Sequence, residues 1–185
     1  MLIRILAFLL ETIFFVLIAA ALLRAWMNWV RVNMSAQPGS FVMALTDWLV
    51  KPLRRVLPKS LAQSRVDWAS VIAAVLLALA YAVLWASLFG LLLGALELAP
   101  VLLLTLLSFA LKMLVRVALQ TLFILVLGFA ILSWIQPGSP AYVLLGRLTE
   151  PVLAPLRRVI PAIGGVDISA LVLIVLLQIA LMVLV

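Results

Sequence analysis

The sequence predicts an all-α integral membrane protein with four transmembrane helices, arranged as two parallel two-span repeats. Of its 185 residues, 69% are hydrophobic and only 10% are charged, and the mean hydropathy is +1.41. Soluble domains contain about 45–50% apolar and about 25% charged residues. This chain has too few polar side chains to cover a surface in water, so we expect lipid to cover most of it.

The spans are predicted from apolar segments whose length is close to the roughly 20 residues needed to cross a bilayer. The first is too long for the apolar region of a signal peptide, the alternative interpretation, so we expect an uncleaved anchor. Residues 101–134 would form one helix of about 50 Å, too long for a single crossing. We therefore expect 101–111 to lie on the surface or re-enter, with a fifth crossing as the competing arrangement. The predicted spans are 2–23, 68–96, 117–134 and 168–185.

The net charge of +7 is concentrated in two connecting segments. The positive-inside rule places both segments in the cytoplasm. Four spans satisfy this placement and leave both termini outside, whereas five spans do not. Tryptophans at 26, 29, 68 and 134 lie at predicted span ends, where aromatic belts form. The basic residues are Arg24, Arg31, Lys51, Arg54, Arg55, Lys59 and Arg65 in the first segment and Arg147, Arg157 and Arg158 in the second.

The two segments repeat one motif. The first has Leu-Thr-Asp at 45–47, Pro-Leu-Arg-Arg-Val-Leu-Pro at 52–58 and then Asp67. The second has Leu-Thr-Glu at 148–150, Pro-Leu-Arg-Arg-Val-Ile-Pro at 155–161 and then Asp167. We therefore predict two copies of one unit, residues 1–97 and 98–185. Each copy crosses the membrane twice, so the copies share one orientation.

This doubled pattern resembles the YggT family of small integral membrane proteins. The second copy fits best, through residues 149–151, 155–161, 164–165 and 167–169, whereas Trp48 replaces an expected proline in the first copy. The resemblance implies a multi-pass protein of the bacterial inner membrane without enzyme activity. It also implies an association with osmotic or envelope stress tolerance and cell division, and in plastid relatives with nucleoid distribution and cytochrome assembly.

Each repeated segment is predicted to form an amphipathic helix that lies in the cytoplasmic membrane interface. Pro52 and Pro155 predict a kink or two short helices, and Pro58 and Pro161 predict the helix ends. The arginines at 54, 55, 157 and 158 either set the topology alone or bind lipid phosphates or a partner. The predicted apolar arcs contain Phe41, Val42, Leu45, Trp48, Leu49, Leu53 and Val56 in the first helix, and Leu144, Leu145, Leu148, Val152, Leu156 and Val159 in the second.

Three further groups of residues are candidates for a specific role. Asp67 and Asp167 precede spans and are expected either to cap the helix or to pair with an arginine. Small residues recur at every fourth position of the second span and predict close helix packing. Ionisable and amide side chains inside spans are functional candidates, and Glu11 has Lys112 and Arg116 as possible ion-pair partners. The packing residues are Ala82, Ala86, Gly90 and Gly94, and the intramembrane polar residues are Glu11, Gln120 and Gln178.

The residue types also limit the function. The chain has no histidine or cysteine, which excludes disulfides, thiolate or imidazole metal sites and histidine acid–base chemistry. Its six carboxylates form no recognisable general acid–base pair. We therefore expect no enzyme activity, no cofactor and no nucleic acid partner. The expected function is docking of anionic lipid headgroups and other membrane proteins, with homo-oligomerisation left open; the alternative is a small ion or solute transporter or channel acting under osmotic stress.

Overall fold

The computed structural model of the chain describes residues 1–34, 38–58, 66–93, 100–159 and 168–184. Within these ranges the secondary structure is helical, with six α-helices and no strand. The helices are α1 (Leu2–Trp29), α2 (Gly39–Val56), α3 (Trp68–Leu93), α4 (Pro100–Ile135), α5 (Pro140–Val159) and α6 (Ile168–Leu184).

Among the described residues, three segments are long and apolar enough to cross a bilayer, namely Ile3–Trp29, Trp68–Leu88 and Leu103–Ile135. The apolar helix α6 has 17 residues, which is at the lower end of the range for a crossing. Large apolar side chains on the outer faces are exposed, including Leu104 at 70% and Met182 at 84%. Such surfaces need lipid around them, so the fold is that of an α-helical membrane protein.

The helix α4 corrects the predicted division of the third apolar stretch. It runs without a break over 36 residues, so no separate short piece precedes a span that starts at 117. Lys112 and Arg116 interrupt the apolar pattern but not the helix, because lysine and arginine are good helix formers. At 1.5 Å per residue α4 is about 54 Å long, so in a bilayer it must tilt or extend beyond the hydrocarbon core.

The chain divides into two compact units, and α4 contributes to both. Unit 1 comprises residues 1–29 and 33–117, where α1, α2 and α3 pack on one another. Small side chains let α1 and α3 approach closely. Ala82, one of the predicted packing residues, is buried and Ala86 is partly buried. Gly90 lies within α3, and Gly94 lies outside the described residues. The buried core of this unit includes Ile18, Ala21, Val50, Ala73, Ala74, Ala78, Tyr81, Met113 and Val117.

Unit 2 comprises residues 30–32 and 118–185. Its helices are the second part of α4 together with α5 and α6, and α5 packs on α6. Gln120 is partly buried in this unit and Gln178 is exposed. The buried core of this unit includes Val126, Phe129, Leu153, Ala170, Leu173 and Leu177.

Candidate functional site

The face of α2 that packs into unit 1 overlaps only in part with the predicted apolar arc. Its buried residues include Val42, Thr46 and Val50, spaced four apart along one side of the helix. Thr46 is accommodated there because its hydroxyl donates a hydrogen bond to the carbonyl oxygen of Val42 over 2.7 Å. Val42 of the predicted arc is buried, whereas two of its aromatic side chains, Phe41 and Trp48, are 63% and 60% exposed.

A buried ionic cluster joins α1, α2 and the start of α3, and we call it the Arg24 cluster. Arg24 is only 4% exposed, and its Nη1 donates to Thr46 Oγ1 at 2.7 Å and to Asp47 Oδ1 at 2.8 Å. Its Nε lies 3.9 Å from Asp67 Oδ2, which also accepts a hydrogen bond from Ser70 Oγ. Burying a charge is costly unless partners compensate it, so the cluster fixes α2 against α1 and α3.

Asp47 lies at the solvent-facing edge of the Arg24 cluster. The ammonium of Lys51, one helical turn later, approaches Asp47 Oδ2 to 2.8 Å. The hydrogen bond from Lys51 lowers the pKa of Asp47; partial burial opposes this lowering, and the guanidinium of Arg24 adds to it. The carboxylate therefore stays ionised and holds two cations at neutral pH.

The buried role of Arg24 is missing from the sequence predictions, which placed this residue in a basic connecting segment on its charge alone. One signal was available in the sequence. An alignment of the two copies on Trp29 and Trp134 without gaps pairs Arg24 with Phe129. A cation in one copy and an aromatic ring in the other mark this position as one where the copies have diverged.

The two arginines of the first motif have different surroundings. Arg54 Nη2 lies 2.5 Å from Asp67 Oδ2, and the Arg54 side chain is 47% exposed. Arg55 is exposed and has no ion pair with any described residue. The side chain of Asp67 thus forms an ion pair with Arg54. Its backbone carbonyl oxygen accepts hydrogen bonds from the N–H groups of Ser70 and Val71 at the start of α3.

The two arginines of the second motif also have different surroundings, which other residues form. Arg157 Nη1 donates to Glu150 Oε2 at 2.7 Å, and its guanidinium carbon lies 5.8 Å from the centroid of the Phe129 ring. Phe129 in turn stacks on Tyr142, with ring centroids 5.2 Å apart. Arg158 is exposed and unpaired among the described residues.

The structure corrects one alternative predicted for the motif prolines, namely that each segment divides into two short helices. Pro52 lies inside α2 and Pro155 inside α5, and each helix is continuous through its proline. Pro58 lies two residues after Val56, the last residue of α2. Pro161 and Asp167 lie outside the described residues.

An ion pair also connects α1 with α4 in unit 1. Arg116 Nη1 donates to Glu11 Oε1 at 3.1 Å, and both side chains are 38% exposed. This is one of the two pairings predicted for Glu11. Within the described ranges, no group of three or more acidic side chains is placed to hold a metal ion.

The outer faces of the apolar helices expose large apolar side chains, and the helices α2 and α5 carry exposed basic side chains. These features define the class of the protein as an α-helical membrane protein. Residues 3–88 and 110–185 match the model of the CCB3/YggT family. The chain therefore belongs to the CCB3/YggT family.

Several bacterial relatives cover nearly the whole chain. The "Uncharacterized protein in proC 3'region" of Vibrio alginolyticus is 35% identical over 94% of this chain and 90% of the relative. The "Uncharacterized protein YggT" of Escherichia coli K12 is 33% identical over 94% of this chain and 86% of the relative. An uncharacterized protein of Pseudomonas aeruginosa is 32% identical over 88% of this chain and 79% of the relative. No solved structure matches the chain.

Proposed function

We propose that this chain is a non-enzymatic protein of the bacterial inner membrane that docks lipid and protein partners through α2 and α5. The observation that carries the proposal is the exposure of cations on both helices. Lys51 is 67% exposed, and Arg55, Arg147 and Arg158 are exposed as well. Because one face of each helix packs into its own unit, these cations are held on ordered backbone.

The proposed arrangement has four crossings, with α2 and α5 in the cytoplasmic interface and both termini outside. It is supported by three long apolar segments and by α6, which is apolar and short. The two matched segments of the family model also agree with two repeats in tandem. With two crossings per repeat, both basic helices lie on the side where the positive-inside rule expects them.

The cellular role that we propose is support of osmotic or envelope stress tolerance, cell division or assembly of membrane complexes. It rests on the resemblance to the family and on the basic helices, which are suited to holding partners at a membrane surface. Near an anionic leaflet each exposed basic residue contributes about 1 kcal/mol of attraction. Several such residues on two helices are enough for reversible docking without any chemical step.

A charge-reversal experiment tests this proposal in cells. A deletion strain is complemented with the chain or with a variant in which Arg54, Arg55, Arg157 and Arg158 are all changed to glutamate, and growth is measured at high osmolarity. We expect the variant to insert at normal levels but not to restore growth. The matched control reverses two exposed cations outside the motifs, at Arg4 and Lys112, and is expected to restore growth. Full growth with the correctly inserted quadruple variant would show that the motifs do not act in docking.

A small transporter or channel is the second candidate, and the ion pair of Glu11 with Arg116 supports it because charged groups inside spans often line transport paths. The two charges neutralise each other within unit 1, which favours docking over transport. Reconstituted vesicles separate the two functions. A solute flux that Glu11→Ala abolishes would overturn the docking proposal.

A further inference from the structure

The geometry of α2 assigns different directions to the two arginines of the first motif. Successive residues of an α-helix point about 100° apart, so adjacent side chains do not face the same way. Arg54 points toward the start of α3, where it pairs with Asp67. Arg55 lies nine residues after the buried Thr46, which is half a turn away around the helix. Arg55 is therefore on the side of α2 that faces away from the rest of unit 1.

In the second motif as well, the first arginine is paired and the second is exposed, but the contacts are different. Arg157 pairs with Glu150 and lies over the ring of Phe129. Arg158 lies nine residues after the buried Thr149 and is exposed. The carboxylate that holds the first arginine comes from after the motif in one copy and from before it in the other. Among the described residues, two different sets of contacts thus leave the second arginine of each motif without an ion pair, which makes it the one available to bind an anion.

The residues on the outer side of α2 indicate which kind of surface Arg55 contacts. Phe41, Trp48 and Arg55 are seven residues apart, so they form one row along the helix. The indole N–H of Trp48 donates to the carbonyl oxygen of Leu45 at 2.8 Å, which satisfies its polar atom and leaves the exposed ring apolar. An aromatic row that ends in a cation matches the boundary between acyl chains and phosphates of a bilayer.

The outer side of α5 is more basic. Arg147 is exposed and precedes Arg158 by eleven residues, which is close to three full turns, so both lie on the same side. Neither arginine has an ion pair among the described residues. Val143, one turn before Arg147, is 47% exposed on the same part of the surface. The combination of unpaired cations with exposed apolar side chains is again complementary to an anionic lipid surface.

We propose that Arg55 and Arg158 bind the phosphates of anionic phospholipids, whereas Arg54 and Arg157 position the two helices. This inference rests on the proposed docking function and names its lipid contacts. A guanidinium binds a phosphate through two parallel hydrogen bonds, which requires that no carboxylate already occupies it. Among the described residues, no carboxylate is paired with Arg55 or Arg158, whereas Arg54 and Arg157 are each paired with one.

The test compares two double variants of the full-length chain in phosphatidylcholine nanodiscs. Electron spin resonance measures how strongly spin-labelled phosphatidylglycerol associates with the protein, relative to spin-labelled phosphatidylcholine. We expect Arg55→Gln with Arg158→Gln to lower this ratio about fivefold, which corresponds to about 1 kcal/mol per site. We expect Arg54→Gln with Arg157→Gln to keep the ratio and to lower the melting temperature. The conservative double variant Arg54→Lys with Arg157→Lys should recover much of that loss in melting temperature, because it keeps a cation beside Asp67 and Glu150.

The outcomes separate this inference from the proposed function. Loss of lipid preference in the Arg54/Arg157 variant, with the Arg55/Arg158 variant unchanged, would overturn the division of roles while leaving lipid docking intact. Equal association of both labelled lipids with the wild-type chain would overturn the lipid assignment itself. The docking function would then still be tested by the growth of the complemented deletion strain.

Discussion

Replacing Arg24 by methionine tests whether the Arg24 cluster holds α2 in place. Methionine has a similar length and no charge, so the substitution removes the cation while it keeps most of the packing volume. Removing one partner of a buried ion pair costs about 3–5 kcal/mol, because the other charge stays buried without compensation. Asp67 keeps Arg54 and Asp47 keeps Lys51, so we expect a loss at the low end, about 3 kcal/mol.

Equilibrium unfolding in mixed micelles measures this loss. Sodium dodecyl sulfate is titrated into the purified protein, and tryptophan fluorescence follows unfolding because Trp26 and Trp29 lie close to Arg24 in α1. The matched control is Arg55→Met, which removes an exposed arginine that has no ion pair among the described residues and should change the free energy of unfolding by less than about 0.5 kcal/mol. Equal stability of the Arg24→Met variant and the wild type would refute the structural role of the cluster.

Three further predictions follow from other contacts of unit 1. Glu11→Gln leaves Arg116 without its carboxylate and should lower the free energy of unfolding by about 1–2 kcal/mol in the same titration. Asp47→Asn should destabilise the protein at pH 7, and the difference from wild type should shrink as the pH falls below the usual carboxyl pKa of 3.8, because the folded-state pKa of Asp47 is lowered. Gly39→Ala places a Cβ 2.7 Å from the backbone of Met34, so the chain must shift, and we expect a loss of about 1–3 kcal/mol.

Each of these predictions has its own control. Changing both Glu11 and Arg116 to leucine should restore most of the stability that Glu11→Gln removes, since no unpaired charge remains. A stability gap for Asp47→Asn that is as large at pH 3 as at pH 7 would show that the charge of Asp47 does not matter. Gly128→Ala meets only the flexible end of Leu145, at 3.2 Å, so it should cost less than Gly39→Ala.

The apolar helices could be predicted from sequence because they depend on composition and length, which are local properties. The helix at each repeated motif was also predictable, since the Pro-Leu-Arg-Arg pattern and its apolar neighbours fall within one segment. The face of α2 that packs inward could not be predicted from the sequence. Thr46 is buried because Arg24, 22 residues earlier, donates to it, and an apolar count along α2 alone cannot include that contact.

The continuity of α4 and the different surroundings of Arg54 and Arg55 could not be predicted from the sequence, for related reasons. Arg116 looked like a break in a span because the carboxylate that pairs with it, Glu11, is 105 residues away. Arg54 and Arg55 have identical side chains in the sequence, and only the position of Asp67 in the folded unit distinguishes them. Charge contacts between distant segments are therefore the part of the site that required the structure.

The proposed docking surface requires both basic helices to lie on one side of the membrane. The chain has no cysteine, so single cysteines can be introduced at Lys51 and Glu150, whose side chains are 67% and 55% exposed, without a background signal. A membrane-impermeant maleimide is then applied to intact spheroplasts and to inverted vesicles. We expect both cysteines to be labelled only in inverted vesicles. Labelling of one from each side would contradict the parallel repeat and the shared docking surface.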